Sequence, residues 1–192
     1  LYSQRKNVST SFGFQASDTI EAQNAYLYTT FRRLLPDVQL QLGVSYDHLD
    51  PEVGIRDSAQ EELNPKIGVI WDITPAATFR AAAFHVVKRG FFTSQSLEPT
   101  QVAGFNQFFD DFDGTQSWRY GAAIDLKLAP LLFAGIEASV RDLDIPQGGG
   151  SFTWREQQGR AYINWAPTKV VAVSAGYEYE HLRRDQQLTG FE

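Results

Sequence analysis

The sequence predicts an all-β protein, an antiparallel transmembrane β-barrel, and three observations predict it. Apolar and polar residues alternate over long segments, proline-marked turns join these segments in pairs, and longer polar connections separate the pairs. Alternation is the pattern of a strand whose two faces meet different surroundings, because successive side chains point to opposite sides. Short connections that alternate with long ones place all the short ones at one end of the sheet, as in outer-membrane barrels.

The alternation predicts about nine strands, most of about nine to eleven residues, the length that spans a bilayer when tilted. The apolar faces of the clearest strands run over Val38 to Tyr46, Ile67 to Ile73, Trp118 to Leu128, Leu132 to Val140 and Val171 to Tyr179. Segments near 7–16, 24–34, 77–88 and 156–165 fit the same pattern less cleanly. We expect one domain over 1–192, or a fragment of one, with no internal boundary.

The connections follow from proline, which presets φ for a turn and cannot donate a hydrogen bond in a central strand. Tight turns are predicted at Pro36, Pro75, Pro130 and Pro167, and longer polar connections near 17–23, 48–62, 90–116 and 142–153. An odd number of antiparallel strands cannot close on itself without a parallel pair, and an open edge in lipid would leave backbone groups unpaired. We therefore expect these strands to be part of a larger barrel.

The apolar face could instead fill the core of a soluble barrel or sandwich. The strand length, the asymmetric connections and the aromatic residues near strand ends favour lipid, since such rings sit at the membrane interface. These aromatic residues are Tyr46, Trp71, Trp118, Tyr120, Trp165, Tyr177 and Tyr179. We expect the bacterial outer membrane as location, and lipid contacts at Leu126, Leu128, Leu132 and Ile136. Leu132→Arg or Ile136→Arg is expected to block assembly. Glu137→Arg, on the other face, is expected to be tolerated.

The composition excludes several functions. The net charge of −6 disfavours a nucleic-acid partner, and the absence of cysteine excludes thiolate metal sites and a cysteine nucleophile. None of His48, His85 and His181 has an acid and a nucleophile at a spacing that brings the three together, so we expect no enzyme activity. The run from Asp110 to Gly114 lacks the full spacing of a calcium loop. We expect no cofactor and no metal.

Charged residues of both signs fall on the polar side of the alternating strands. Rings of charge can select solutes in a pore, or the charges can pair across strands and fill the barrel, and the sequence leaves both open. The candidates for the lumen-facing set are Lys66, Asp72, Arg80, Asp125, Lys127, Glu137, Arg141, Glu156, Arg160 and Glu178.

The longest connection, from Arg89 to Gln116, is rich in phenylalanine. Its phenylalanines are Phe91, Phe92, Phe105, Phe108, Phe109 and Phe112. Because so many large apolar side chains are costly to expose to water, we expect this loop to pack. It could enter the lumen as a constriction, cap the mouth, or contact a partner.

Two stretches resemble a known family: SQSLEPTQVAGFNQFFDDFDGTQSWRYG (94–121) and LNPKIGVIWDITPAATFRAAAF (63–84). They are similar to the carboxy-terminal barrel of bacterial outer-membrane proteins rich in tetratricopeptide repeats, over about residues 63–145. This resemblance implies a periplasmic repeat domain or protein partner and export of polysaccharide. The strand–loop–strand pattern of TPAATFRAAAF and LEPT also resembles that of TonB-dependent receptors. This resemblance implies nutrient uptake through a barrel that holds a plug domain.

The expected function is a channel for a small solute or an exported polysaccharide. A receptor-like uptake barrel and a structural barrel within a surface assembly are the alternatives.

Overall fold

The computed structural model describes residues 2–9, 15–51, 60–89, 97–147, 150–168 and 170–184. Every regular element in these ranges is a β-strand. No helix among them is long and apolar enough to cross a membrane. The prediction of an all-β fold is therefore confirmed.

The strands form one large antiparallel sheet and one small hairpin. Nine strands of the large sheet lie in the order β1-β2-β3-β4-β5-β8-β9-β10-β11, so each strand pairs with its neighbours along the chain except where β6 and β7 intervene. The strands are β1 (Tyr2–Ser9), β2 (Gln15–Leu35), β3 (Val38–Pro51), β4 (Gln60–Thr74), β5 (Ala77–Val87), β6 (Gln101–Val102), β7 (Phe105–Asn106), β8 (Gln116–Ala129), β9 (Leu132–Gln147), β10 (Gly150–Trp165) and β11 (Val173–Arg184).

Most of these strands are longer than the predicted nine to eleven residues. β2 has 21 residues, and β9 and β10 have 16 each. The extra length lies away from the proline turns. There the alternation is lost, as in 17–23, or its apolar residues move to the inner face, as Leu143 and Ile145 do, while cross-strand pairing continues. Alternation of side chains reports the solvent on each face, whereas backbone pairing needs only an adjacent strand, so the sequence underestimates strand ends.

Two predicted connections are wrong for this reason. Residues 17–23 lie within β2 and pair with β1 and β3. Residues 142–147 belong to β9 and pair with β10, up to Gln147 opposite Gly150, so there is no long connection over 142–153. The contrast between short and long connections is therefore weaker in the structure than the sequence predicts.

The proline turns are at three of the four predicted places. Two-residue turns at 36–37, 75–76 and 130–131 join β2 to β3, β4 to β5 and β8 to β9. Asp37 has a φ of 62°, the left-handed conformation that aspartate tolerates better than most residues. The connection after Pro167 is longer than predicted, because β11 begins only at Val173.

The two faces of the sheet differ in character. On the outer face, large apolar side chains are exposed, among them Leu27, Leu63, Trp71, Ile136 and Tyr177. On the opposite face, here called the inner face, lie the polar residues of the alternation together with the segment 97–115, here called the inner segment. The core of the described structure forms where the inner segment meets β5 and β8.

Candidate functional site

The inner segment contacts the inner face through the short hairpin of β6 and β7. The turn between them uses Ala103 and Gly104, with φ values of 46° and 86°. The backbone N–H of Ala103 donates to Gln41 Oε1 at 2.7 Å, and Arg80 Nη1 donates to the Ala103 carbonyl at 3.0 Å. Side chains of β3 and β5 thus satisfy the backbone of the turn, which fixes its position on the wall.

Glycines on the wall make room for this hairpin. A Cβ at Gly68 would lie 2.8 Å from Val102 Cγ1 and 2.9 Å from Ala103 Cβ. A Cβ at Gly121 would lie 2.5 Å from Cδ1 of Phe105. Both distances are shorter than atoms tolerate, so the hairpin lies this close to the wall because these two positions carry no side chain.

Gly121→Ala should therefore loosen the inner segment. We expect a loss of about 1–3 kcal/mol in stability, the usual cost of overpacking, because the ring of Phe105 must shift. Thermal unfolding of the folded protein measures this loss of stability, and the protease sensitivity of residues 97–115 is the second readout. Gly176→Ala is the matched control, since its Cβ would meet only a carbonyl oxygen at 3.7 Å. Equal effects of the two substitutions would contradict the close packing of Phe105.

An apolar core forms beneath the hairpin. Phe105 and Val102 are 1% and 3% exposed, and they pack with Ala82, Phe84 and Ala123 of β5 and β8. Full burial of such side chains contributes about 1.5–3 kcal/mol each. This core holds the middle of the inner segment.

A buried cluster of charges holds the beginning of the inner segment. We call it the Glu98 cluster, and its members are Tyr28, Asp47, Lys66, Arg89 and Glu98. Glu98 accepts from Arg89 Nη2 at 2.9 Å and Tyr28 Oη at 2.6 Å, and Lys66 Nζ lies 3.2 Å from its Oε1. Arg89 Nε lies 3.2 Å from Asp47. Two carboxylates face two cations, and the side chains of all four are at most 4% exposed.

Polar neighbours supply further hydrogen bonds to this cluster. Asp47 accepts from Asn24 at 2.7 Å and from Asn64 at 2.6 Å. Lys66 Nζ also donates to Ser45 Oγ at 2.9 Å. A buried charge is tolerated where an opposite charge and hydrogen bonds are present. One network therefore joins β2, β3, β4 and the inner segment, although Arg89 Nε meets Asp47 only as an ion pair and has no hydrogen-bond partner among the described residues.

Arginines and phenylalanines hold the end of the inner segment. Arg141 pairs with Asp111 at 2.5 Å and Glu156 at 2.9 Å, and its guanidinium lies 3.7 Å from the ring centroid of Phe109. Arg119 stacks on Phe109 at 4.8 Å and donates to neutral oxygens of β9 and β10. Arginine over an aromatic face is attracted by the negative ring quadrupole, so these contacts fasten the segment to β8 and β9.

A second group of charges lies nearer the turns. Arg80 pairs with Asp125 at 2.5 Å and with Glu137 at 3.4 Å. Glu137 also pairs with Arg160 at 3.1 Å, and Tyr162 donates a hydrogen bond to Asp125. These residues come from β5, β8, β9 and β10, so the group ties four strands together on the inner face.

The predicted lumen-facing residues divide into two sets. One set forms the paired groups on the inner face: Lys66, Arg80, Asp125, Glu137, Arg141, Glu156 and Arg160. The others are exposed: Asp72 and Lys127 near the turns, and Glu178 on β11. Their role in selecting a solute stays a prediction.

The phenylalanines of the loop from Arg89 to Gln116, which are predicted to pack, differ in their burial. Phe105 is fully packed, Phe108 and Phe109 are half-buried, and Phe112 is 65% exposed with its ring edge towards Trp154. Phe91 and Phe92 lie outside the described residues. The run from Asp110 to Gly114 shows one engaged carboxylate, Asp111, and no group of metal-binding residues occurs in the described part of the chain.

Sequence reasoning missed the residues that anchor the segment. Tyr28, Asp47, Arg89, Glu98 and Gln107 were not among the candidates, yet all take part in its contacts. Lys66 was a candidate, but its partner Glu98 lies 32 positions further along the chain. The position of Glu98, apart from the acidic run at 110–113 of the same aromatic-rich loop, was the available signal.

Comparison with known proteins identifies a solved structure with a similar fold. No protein-family model matches the chain, and no curated protein matches it. The chain resembles a solved structure titled "Structure of the FpvAI-pyocin S2 complex", with a TM-score of 0.61 and 13% identity over 90% of this chain. That neighbour is an outer-membrane β-barrel receptor. At this identity the likeness shows the fold alone, and the chain spans only 24% of the length of its neighbour.

Proposed function

We propose that this chain forms part of the wall of an outer-membrane β-barrel that transports a small solute, with the inner segment restricting the path. The observation that carries the proposal is the attachment of residues 97–115 to the inner face by an apolar core and buried ion pairs. A segment held in this way occupies space that a wide, permanently open passage would need.

The likeness to an outer-membrane receptor supports the same class of barrel, and hence uptake of a solute. Export of a polysaccharide, which the resemblance to repeat-rich outer-membrane proteins implies, would need a wider passage beside this wall. A purely structural barrel would need no polar network on its inner face, although paired charges can serve to fill a barrel. Restricted solute transport accounts for both the segment and its network.

Conductance of the full-length protein in a planar lipid bilayer tests the proposal. We expect little conductance from the unaltered protein, because the segment narrows the passage. Replacing residues 97–115 by a short glycine–serine linker should produce steady conductance. A large conductance before the replacement would indicate an open channel. Silence after it, with insertion confirmed, would indicate a structural barrel or a different obstruction, and either result contradicts the proposal.

A further inference from the structure

A cleft opens on the inner face beside the inner segment. It has a volume of ≈ 270 Å³ and lies between the β6–β7 hairpin, Phe109 and the strands β10 and β11. Its walls are predominantly polar, with amide side chains from Asn106 and Gln158 and carboxylates from β11. Such a volume suits a small polar molecule of about the size of a monosaccharide.

The charges that line the cleft do not balance. Two arginines, Arg119 and Arg160, face three glutamates, Glu137, Glu178 and Glu180, which leaves one negative charge in excess. Arg160 is engaged by Glu137 at 3.1 Å, and Arg119 is 5% exposed and already hydrogen-bonded to β9 and β10. Neither arginine makes an ion pair with Glu178 or Glu180 among the described contacts, although Arg160 lies opposite Glu178 in the register of β10 and β11.

Glu178 and Glu180 are the two carboxylates of the lining that form no ion pair with either arginine. They pair in register with Arg160 and Gln158 of β10, which places both on the inner face. Both are exposed, and neither makes an ion pair or hydrogen bond with any residue in the part of the chain that the structure describes. Side chains two positions apart on a strand lie on the same face at a spacing of roughly 7 Å. Two like charges at this distance repel each other, so a cation between them is favoured.

Uncharged groups beside these carboxylates suit hydroxyls. Gln158 Oε1 accepts from Arg119, and Asn106 Oδ1 accepts from Gln101, so the side-chain NH2 groups of Gln158 and Asn106 point to other partners. Amide groups can donate to and accept from hydroxyls.

We propose that this cleft binds a small hydroxylated cation, such as an amino sugar, through Glu178, Glu180 and the neighbouring amides. The inference rests on the proposed transport function and names the class of solute that would follow this wall. The three carboxylates in the lining disfavour an anionic solute.

Calorimetric titration of the detergent-solubilised full-length protein with glucosamine tests this inference. A mildly acidic buffer keeps its amine protonated and the carboxylates ionised. We expect saturable binding, about tenfold weaker for N-acetylglucosamine and for the variant Glu178→Gln/Glu180→Gln. Glu61→Gln, which removes an exposed carboxylate away from the cleft, should bind as the unaltered protein does.

Equal affinity for glucosamine and N-acetylglucosamine would overturn the inference, as would unchanged binding by the double variant or no binding of glucosamine at all. The titration does not depend on conductance. A negative titration with a positive conductance test rejects only the solute class, whereas a positive titration with a negative conductance test rejects only the proposed transport.

Discussion

Glu98→Ala should detach the inner segment from the barrel wall. The substitution leaves Lys66 in a buried position without this carboxylate partner and, among the described residues, leaves Asp47 as the ion-pair partner of Arg89. Removal of one partner from a buried ion pair costs about 3–5 kcal/mol, because the remaining charge is uncompensated. Since undocking of the segment would let water reach Lys66, we expect much of this cost to appear as release of residues 97–115.

Limited proteolysis of the folded protein measures the release, and thermal unfolding measures the loss of overall stability. Asp110→Asn is the control, because it removes an exposed carboxylate from the same segment. Lys66→Met combined with Glu98→Gln should lose less stability than the sum of the two single substitutions, since contacting residues are energetically coupled. Strict additivity would mean that the pair does not hold the segment.

The sequence predicts the turn end of the sheet well, because its signals are local. Proline at 36, 75 and 130 restricts its own backbone, and each of these positions lies in a two-residue turn. The opposite strand ends are poorly predicted. Residues 17–23 carry no strict alternation, and in 142–145 the alternation reverses, with Leu143 and Ile145 buried on the inner face. Both stretches are extended because a neighbouring strand supplies hydrogen-bond partners.

The candidate site is predicted only in part for a related reason. The phenylalanine content of 89–116 predicts packing, since burial of apolar surface depends on composition more than on geometry. The direction in which the segment folds depends on the absence of a side chain at Gly68 and Gly121 and on the pairing of Glu98 with Lys66 and Arg89. These contacts join residues that are far apart in the sequence, and the alternation along a single strand cannot show them.

Ile136→Arg should prevent assembly of the barrel in the membrane. Ile136 is 61% exposed on the outer face, four residues from Leu132, which pairs with Trp165, and four from Val140, which pairs with Tyr120. Eight residues of a strand tilted by about 35–45° rise roughly 20 Å along the membrane normal, which lies within the height of roughly 25 Å of an outer-membrane apolar band. Ile136 thus lies midway between two aromatic levels, where an arginine facing lipid costs about 2–4 kcal/mol.

The inner-face control for this experiment is Glu178→Arg. Glu137→Arg, which the sequence alone predicts to be tolerated, is unsuitable because the Glu137 carboxylate pairs with both Arg80 and Arg160. A third guanidinium there would gather three positive charges in a half-buried site, whereas Glu178 is exposed. We expect the Glu178 variant to reach the membrane as a folded, heat-modifiable species on gels and the Ile136 variant to remain unassembled. Equal assembly of the two would mean that the outer face does not meet lipid, and that a soluble or protein-covered sheet is the better description.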